Sequence, residues 1–99
     1  MPRQSQWNEF DASDRPLQLL APSPIDATDR ADGSPTSFSW QRRWHAIARH
    51  WGPERIETGW WRTGLIRRDY YRVETVTGHR FWLFRDLNCG QWFVHGSFE

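Results

Sequence analysis

Lysine is absent from this sequence: all 13 basic residues are arginine, and against 12 acids they leave a formal net charge of +1. That balance excludes a polybasic tail or a histone-like binder, which hold nucleic acid through a large excess of positive charge. Cysteine is almost absent too. Cys89 alone cannot close an internal disulfide, which fits a reducing compartment better than a secreted disulfide scaffold. The start MPRQSQWNEF has no apolar run of signal-peptide length, and nowhere do 18 apolar residues follow one another. Neither a secretory leader nor a membrane-crossing helix is therefore expected, and the expected address is the cytoplasm. With 99 residues there is room for one small domain and none for a polymerase, kinase or synthetase.

Aromatic residues are what the chain has in excess. Eight tryptophans, six phenylalanines and two tyrosines are far more ring than a disordered chain carries, because such side chains supply the burial that offsets chain entropy. They are unevenly spread. Residues 1–36 hold every proline except Pro53, six acids against Arg3, Arg15 and Arg30, and only Trp7 and Phe10 among the aromatics, for a net of −3. Residues 37–99 hold the other 14 aromatics, all four histidines and ten arginines against six acids, a net of +4. The first part is expected to be an acidic, Pro-rich arm, largely extended or disordered. Within it, Leu17 and Leu19 alternate in Arg15-Pro-Leu-Gln-Leu-Leu-Ala-Pro-Ser-Pro-Ile25, so this stretch could add an edge strand or dock on a partner. The second part is a folded unit of about 60 residues, a size that buries roughly 60% of its unfolded surface and needs large side chains to do so.

The strongest local signal is a hairpin. Asp69-Tyr-Tyr-Arg-Val-Glu-Thr-Val76 and His79-Arg-Phe-Trp-Leu-Phe-Arg-Asp86 flank Thr77-Gly78, and a two-residue turn there places Val73 opposite Trp82 and Tyr71 opposite Phe84. A second turn at Leu87-Asn-Cys-Gly90, with Gly90 free to take a positive φ, then brings Phe84 beside Phe93 and Arg85 beside Trp92. This register puts Tyr71, Val73, Trp82, Phe84 and Phe93 in a core layer built from cross-strand pairs. Tyr70, Arg72, Phe81, Leu83, Arg85, Trp92 and Val94 fall on the opposite face, to be covered by another layer or a ligand. Residues 38–51 have two readings. Trp40, Trp44, Ile47, Ala48 and Trp51 trace a helical stripe, with Ser39 as an N-cap and Gly52-Pro53 as a stop; alternating Phe38 and Trp40, a break at 41–43 and a new run from Trp44 describe two strands. Trp60 and Trp61 sit in a glycine-flanked loop.

Chemistry is hard to find in this pattern. His45 and His50 are five apart and Cys89 has no near partner but His95, so the close ligand pairs of a zinc site are missing and no metal or cofactor is expected. Asp69 and Asp86 face each other in the register above, which suggests acid/base work through a like-charge pair. The neighbouring Arg67, Arg68 and Arg85 make an arginine–aspartate network at the hairpin mouth the simpler reading, and no catalytic residue is assigned. Nucleic-acid binding has more support, since arginine and aromatics interleave in Arg67-Arg-Asp-Tyr-Tyr-Arg72 and Arg80-Phe-Trp-Leu-Phe-Arg85, a mixture that stacks bases and neutralises phosphates. The same side chains are the usual anchors of protein interfaces.

Several of these segments together resemble a known family. Trp51-Gly-Pro-Glu-Arg-Ile56, Trp60-Trp61, Arg68-Asp-Tyr-Tyr-Arg-Val-Glu74, Arg80-Phe-Trp-Leu-Phe-Arg85 and Trp92-Phe-Val-His-Gly96 look like the extreme C-terminal region of ImuB-type proteins, inactive Y-family DNA polymerase homologues of the bacterial translesion mutasome. Arg15-Pro-Leu-Gln-Leu-Leu20 with Pro24-Ile25 resembles the segment that follows the little-finger domain there, so the likeness runs over about residues 14–99. It implies no polymerase carboxylate, because palm, fingers, thumb and little finger have no counterpart in these residues. The family's clamp-binding motif has no match either, as Gln18-Leu-Leu20 runs into Ala21-Pro22. It does imply contacts with mutasome or replication proteins, namely a RecA-like accessory protein and an error-prone polymerase. A glycine is common in the family near the position of Arg43, which favours a turn there and the hairpin reading of residues 38–51.

The expected fold is thus mainly β, a small antiparallel meander or partly open barrel of about five strands over residues 37–99, behind an extended arm. The expected function is a non-catalytic protein-interaction module of translesion synthesis, away from any membrane, with Trp60, Trp61, Arg68, Tyr70, Arg72, Phe81, Arg85 and Trp92 as candidate contact residues. The alternative is a single-stranded nucleic-acid-binding domain, taking single-stranded DNA on the same arginine and aromatic face.

Overall fold

The computed structural model describes residues 17–60 and 64–98. Seven strands make one antiparallel sheet: β1 (Leu17–Ile25), β2 (Ala27–Asp29), β3 (Pro35–Trp40), β4 (Arg43–Trp60), β5 (Gly64–Thr75), β6 (Arg80–Asp86) and β7 (Trp92–Phe98). Their spatial order is β1-β7-β6-β5-β4-β3-β2, and the sheet curls into a half-barrel. The fold is the expected mainly β, antiparallel, partly open barrel. It has seven strands because residues 17–29 supply β1 and β2 at its two edges. Among the described residues no helix is long and apolar enough to cross a membrane.

The β5–β6 hairpin differs from the sequence-based register by one residue. Its loop is Val76-Thr77-Gly78, closed by Gly78 N donating to the Thr75 carbonyl at 2.9 Å and Thr75 N donating to the His79 carbonyl at 2.8 Å. Gly78 has φ +93°, the left-handed residue that completes a type I turn followed by a bulge in three-residue hairpin loops. The glycine is therefore third in the loop, not second in a two-residue turn. Val73 pairs with Phe81, Arg72 with Trp82, Tyr71 with Leu83 and Tyr70 with Phe84, and the slip sends every side chain of β6 to the other face. The turn into β7 is as expected, with Gly90 at φ +81°, Phe84 opposite Phe93 and Arg85 opposite Trp92. A bulge between Trp82 and Leu83 on this pair leaves His95 beside Trp82.

Residues 38–51 form a hairpin, so the helix is excluded. Trp40 pairs with Arg43 and Ser39 with Trp44 around Gln41 (φ 55°) and Arg42 (φ 68°), the two left-handed residues of a type I′ turn. The apparent helical stripe divides between the two sides of the sheet: Trp40 and Ile47 pack against the core, while Trp44 is exposed. Gly52-Pro53, expected as a helix stop, is a bulge inside β4, where pairing slips between Trp51 opposite Arg72 and Glu54 opposite Tyr70. Gly52 has φ +117°, and a Cβ there would lie 2.6 Å from the Tyr70 carbonyl oxygen, closer than packing allows.

The inner face of the curl holds the core, made of Ile25, Phe38, Tyr71, Val73, Phe81, Leu83, Trp92 and Val94. Its open side is met by one continuous stretch, since β1 pairs with β7 and, with Asp26 alone between them, β2 pairs with β3. The Gln91 side chain donates to the Ile25 carbonyl at 2.8 Å, and Ser39 N donates to the Asp26 carbonyl at 2.8 Å. These bonds fix the corner that drops Ile25 into the core. Two substitutions test the backbone argument by urea denaturation. Gly52→Ala should lower stability by about 2–3 kcal/mol, the scale of a strained backbone plus overpacking. Arg42→Gly should raise it by about 1 kcal/mol, by removing a side chain from left-handed backbone.

Candidate functional site

The register decides where the candidate residues go. Phe81, Arg85 and Trp92 belong to the inner side, with Phe81 and Trp92 in the core. Arg68, Tyr70 and Arg72 lie with Trp82 and Phe84 on the outer side, where Tyr70 pairs with Phe84 and Arg72 with Trp82. Trp61 and the side chain of Trp60 lie outside the described residues. The eight candidates thus do not share one surface, and the rings that complete the outer face are Trp82, Phe84, Phe93 and His95.

The outer cluster is tightly interlocked. Tyr70 sits 4.6 Å from Trp82 and 5.0 Å from Phe84, centroid to centroid. Phe84 stacks on Phe93 at 4.9 Å, and Trp82 stacks on His95 at 5.1 Å with the rings 1° from parallel. Arginine caps it: the Arg68 guanidinium lies 4.3 Å over Phe84 and that of Arg72 4.8 Å over Phe98, in cation–π contact. Arg68 Nη1 donates to the Tyr70 hydroxyl at 3.0 Å. The tyrosine proton is then available for His95 Nδ1, also 3.0 Å away, which assigns Nδ1 as acceptor on a neutral ring. Burial, and behind it the Arg68 charge, hold the His95 pKa below its usual value.

At the inner rim the groups are ionic. Asp69 takes two bonds from Arg55, from Nε at 2.8 Å and Nη2 at 3.1 Å, and Arg85 Nη1 lies 3.8 Å from Asp29. Asp69 is opposite Arg85, and Asp86 opposite Arg68. The paired-carboxylate reading fails on that register, and the arginine–carboxylate pairs differ from the expected ones: Arg55 holds Asp69, Arg85 lies by Asp29 and Arg67 pairs with Glu57. Burial, then the Asp69 charge, raise the Tyr71 pKa. Among the described residues no three His, Cys, Asp or Glu side chains gather as metal ligands. His45 stacks on Phe38 at 5.2 Å, and Cys89 is exposed in its turn.

A third feature is a ribbon. Arg68 pairs with Asp86 at the end of β6, whereas β4 and β5 continue to Trp60 opposite Gly64. The β6–β7 turn supports this extension, through Leu87 N donating to the Arg67 carbonyl at 2.8 Å and Asn88 Nδ2 donating to the Leu65 carbonyl at 2.9 Å. Ile56 and Leu65 remain 38% and 52% exposed on it. The site analysis gives a pH test. Because the folded state holds the His95 pKa down, the unfolded chain binds the proton more readily. Stability is therefore full above the ordinary histidine value of 6.5 and falls as pH drops below it. Urea midpoints of the wild type should decline from pH 7 to pH 5 more steeply than those of His95→Gln.

No family model matches the chain, and no solved structure does. Protein ImuB from two strains of Caulobacter vibrioides is 42% identical to it over 100 residues, covering 85% of this chain. The match takes in 22% of each relative, in its C-terminal part, so the chain spans about a fifth of the proteins it resembles. The chain thus corresponds to the C-terminal part of ImuB and is an ImuB-type C-terminal domain.

Proposed function

We propose that this domain is a non-catalytic protein-interaction module of bacterial DNA damage tolerance, acting in the cytoplasm on mutasome or replication proteins such as a RecA-like accessory protein or an error-prone polymerase. The observation that carries the reading is the β4–β5 ribbon, which projects past β6, exposes Ile56 and Leu65 and ends β4 at Trp60, which Trp61 follows in the sequence. Exposed apolar side chains on a projecting element are what a partner surface covers, and tryptophan is prominent among interface anchors. The likeness to ImuB supports the setting.

The nucleic-acid alternative rests on Arg68, Arg72 and the outer rings. There the ring faces that bases would use are already stacked on one another or capped by arginine, which favours the protein partner. Binding to a purified RecA-like accessory protein and to an error-prone polymerase, measured by calorimetry, tests the proposal. The Trp60→Ala/Trp61→Ala variant should weaken one of the two at least tenfold, and Leu65→Ser by several-fold, as anchor losses do. If neither protein binds, while labelled single-stranded DNA binds at low salt and is released steeply as salt rises, the alternative replaces it.

A further inference from the structure

β4 has an open edge inside the sheet. β3 pairs with it from Arg43 to Ala46, whereas β5 follows it from Ile47 to Trp60. Among the described residues no strand pairs with the other side of β4 beyond Ala46. Hydrogen bonding shows which groups that edge presents. Thr75 N donates to the His79 carbonyl and Leu87 N to the Arg67 carbonyl, so the odd-numbered residues of β5 turn their backbone toward β6 and the even-numbered ones toward β4. Ile66, Arg68 and Tyr70 therefore bond to their partners Thr58, Ile56 and Glu54. Arg55 and Glu57, lying between those partners, point N–H and C=O out of the sheet, and such edge groups template another strand. Arg55, Ile56, Glu57 and Thr58 are all exposed.

We propose that this edge pairs with the same edge of a second copy of the chain, antiparallel about a two-fold axis at Ile56. Three observations select that occupant. The first is charge. Pairing centred on Ile56 sets Arg55 of each copy opposite Glu57 of the other, as hydrogen-bonded pairs whose outward N–H and C=O groups match, while the two Ile56 side chains meet in a close non-bonded pair. Sliding the register by two residues either way sets Arg55 against Arg55 or Glu57 against Glu57, and like charges directly opposite are destabilising. Asp69 takes only Nε and Nη2 of Arg55, which leaves Nη1 for the new carboxylate. The second is room: Trp60 of the second copy comes opposite Gly52, short of Ala46, where β3 begins to pair. The third is the ribbon itself. Past Asp86 it is two strands wide, a width that is marginal alone, and joining two ribbons makes four strands. Isologous two-fold contacts of this kind are the commonest closed assembly.

This inference goes beyond the proposed partner and is tested without it. Sedimentation equilibrium of the full chain should show a mass rising with concentration from 11.9 kDa toward twice that value. Arg55→Glu and Glu57→Arg should each weaken self-association at least about tenfold, whereas an equimolar mixture of the two variants should restore it, because acid then faces arginine at both pairs. Between differently labelled wild-type copies, an Hα–Hα nuclear Overhauser contact should join Ile56 to Ile56. A chain that stays monomeric up to about 1 mM would overturn the proposal. So would a dimer that neither substitution weakens and that lacks the Ile56 contact. Amide shifts at Arg55 and Glu57 on adding a mutasome protein, without self-association, would also overturn it, by giving the edge to a partner's strand. Should Arg55→Glu fail to fold for want of its bonds to Asp69, Glu57→Arg and the wild-type contact decide.

Discussion

Gly78 holds a left-handed backbone, φ +93°, as the last residue of a three-residue loop, and the rest of the molecule is arranged around that position. Because side chains alternate along a strand, the loop length sorts the rings of β6 and β7 relative to β5. Phe81 and Leu83 go inward with Tyr71 and Val73; Trp82 and Phe84 go outward with Tyr70. A two-residue turn would exchange the two sets and set Asp69 against Asp86. With the loop as it is, Asp69 is bound by Arg55 and stands opposite Arg85 in the register.

The composition then makes physical sense. A domain this small lacks the volume for an aliphatic core in two layers, and broad rings bury more surface for each residue spent. Arginine suits such a sheet better than lysine does, because its planar head lies flat on rings, as Arg68 does on Phe84, and binds carboxylates in pairs, as Arg55 does on Asp69. The absence of lysine and the abundance of aromatics are two sides of one packing scheme. At Gly52 the same closeness shows in the backbone, which passes so near the Tyr70 carbonyl that no side chain fits.

Much of the fold was legible in the sequence, and the failures have specific causes. The turn at 87–90 was correctly placed because its glycine and length agree, which is why Phe84 beside Phe93 and Arg85 beside Trp92 were read correctly. Thr77-Gly78 misled because a glycine can close either a two- or a three-residue loop, and only hydrogen bonding tells them apart. At Trp40, Trp44 and Ile47 the spacing mimicked a helix because residues from both faces of a bent strand pair fell on one helical stripe. Gly52-Pro53 reads as a terminator in any local scheme, and only the partner strand reveals a bulge. The outer cluster was half visible: Arg68, Tyr70 and Arg72 were singled out, but His95 reaches Tyr70 from β7 across β6, a distance in sequence that no local pattern spans.

The central claim is the register that divides the rings between two faces, and it is open to direct measurement in solution. Cross-strand Hα–Hα nuclear Overhauser contacts in the β5–β6 hairpin report which residues stand opposite one another. The three-residue loop predicts contacts joining Arg72 to Trp82 and Tyr70 to Phe84. Contacts joining Val73 to Trp82 and Tyr71 to Phe84 instead would contradict the account, because they would turn the core outward and dissolve the outer cluster.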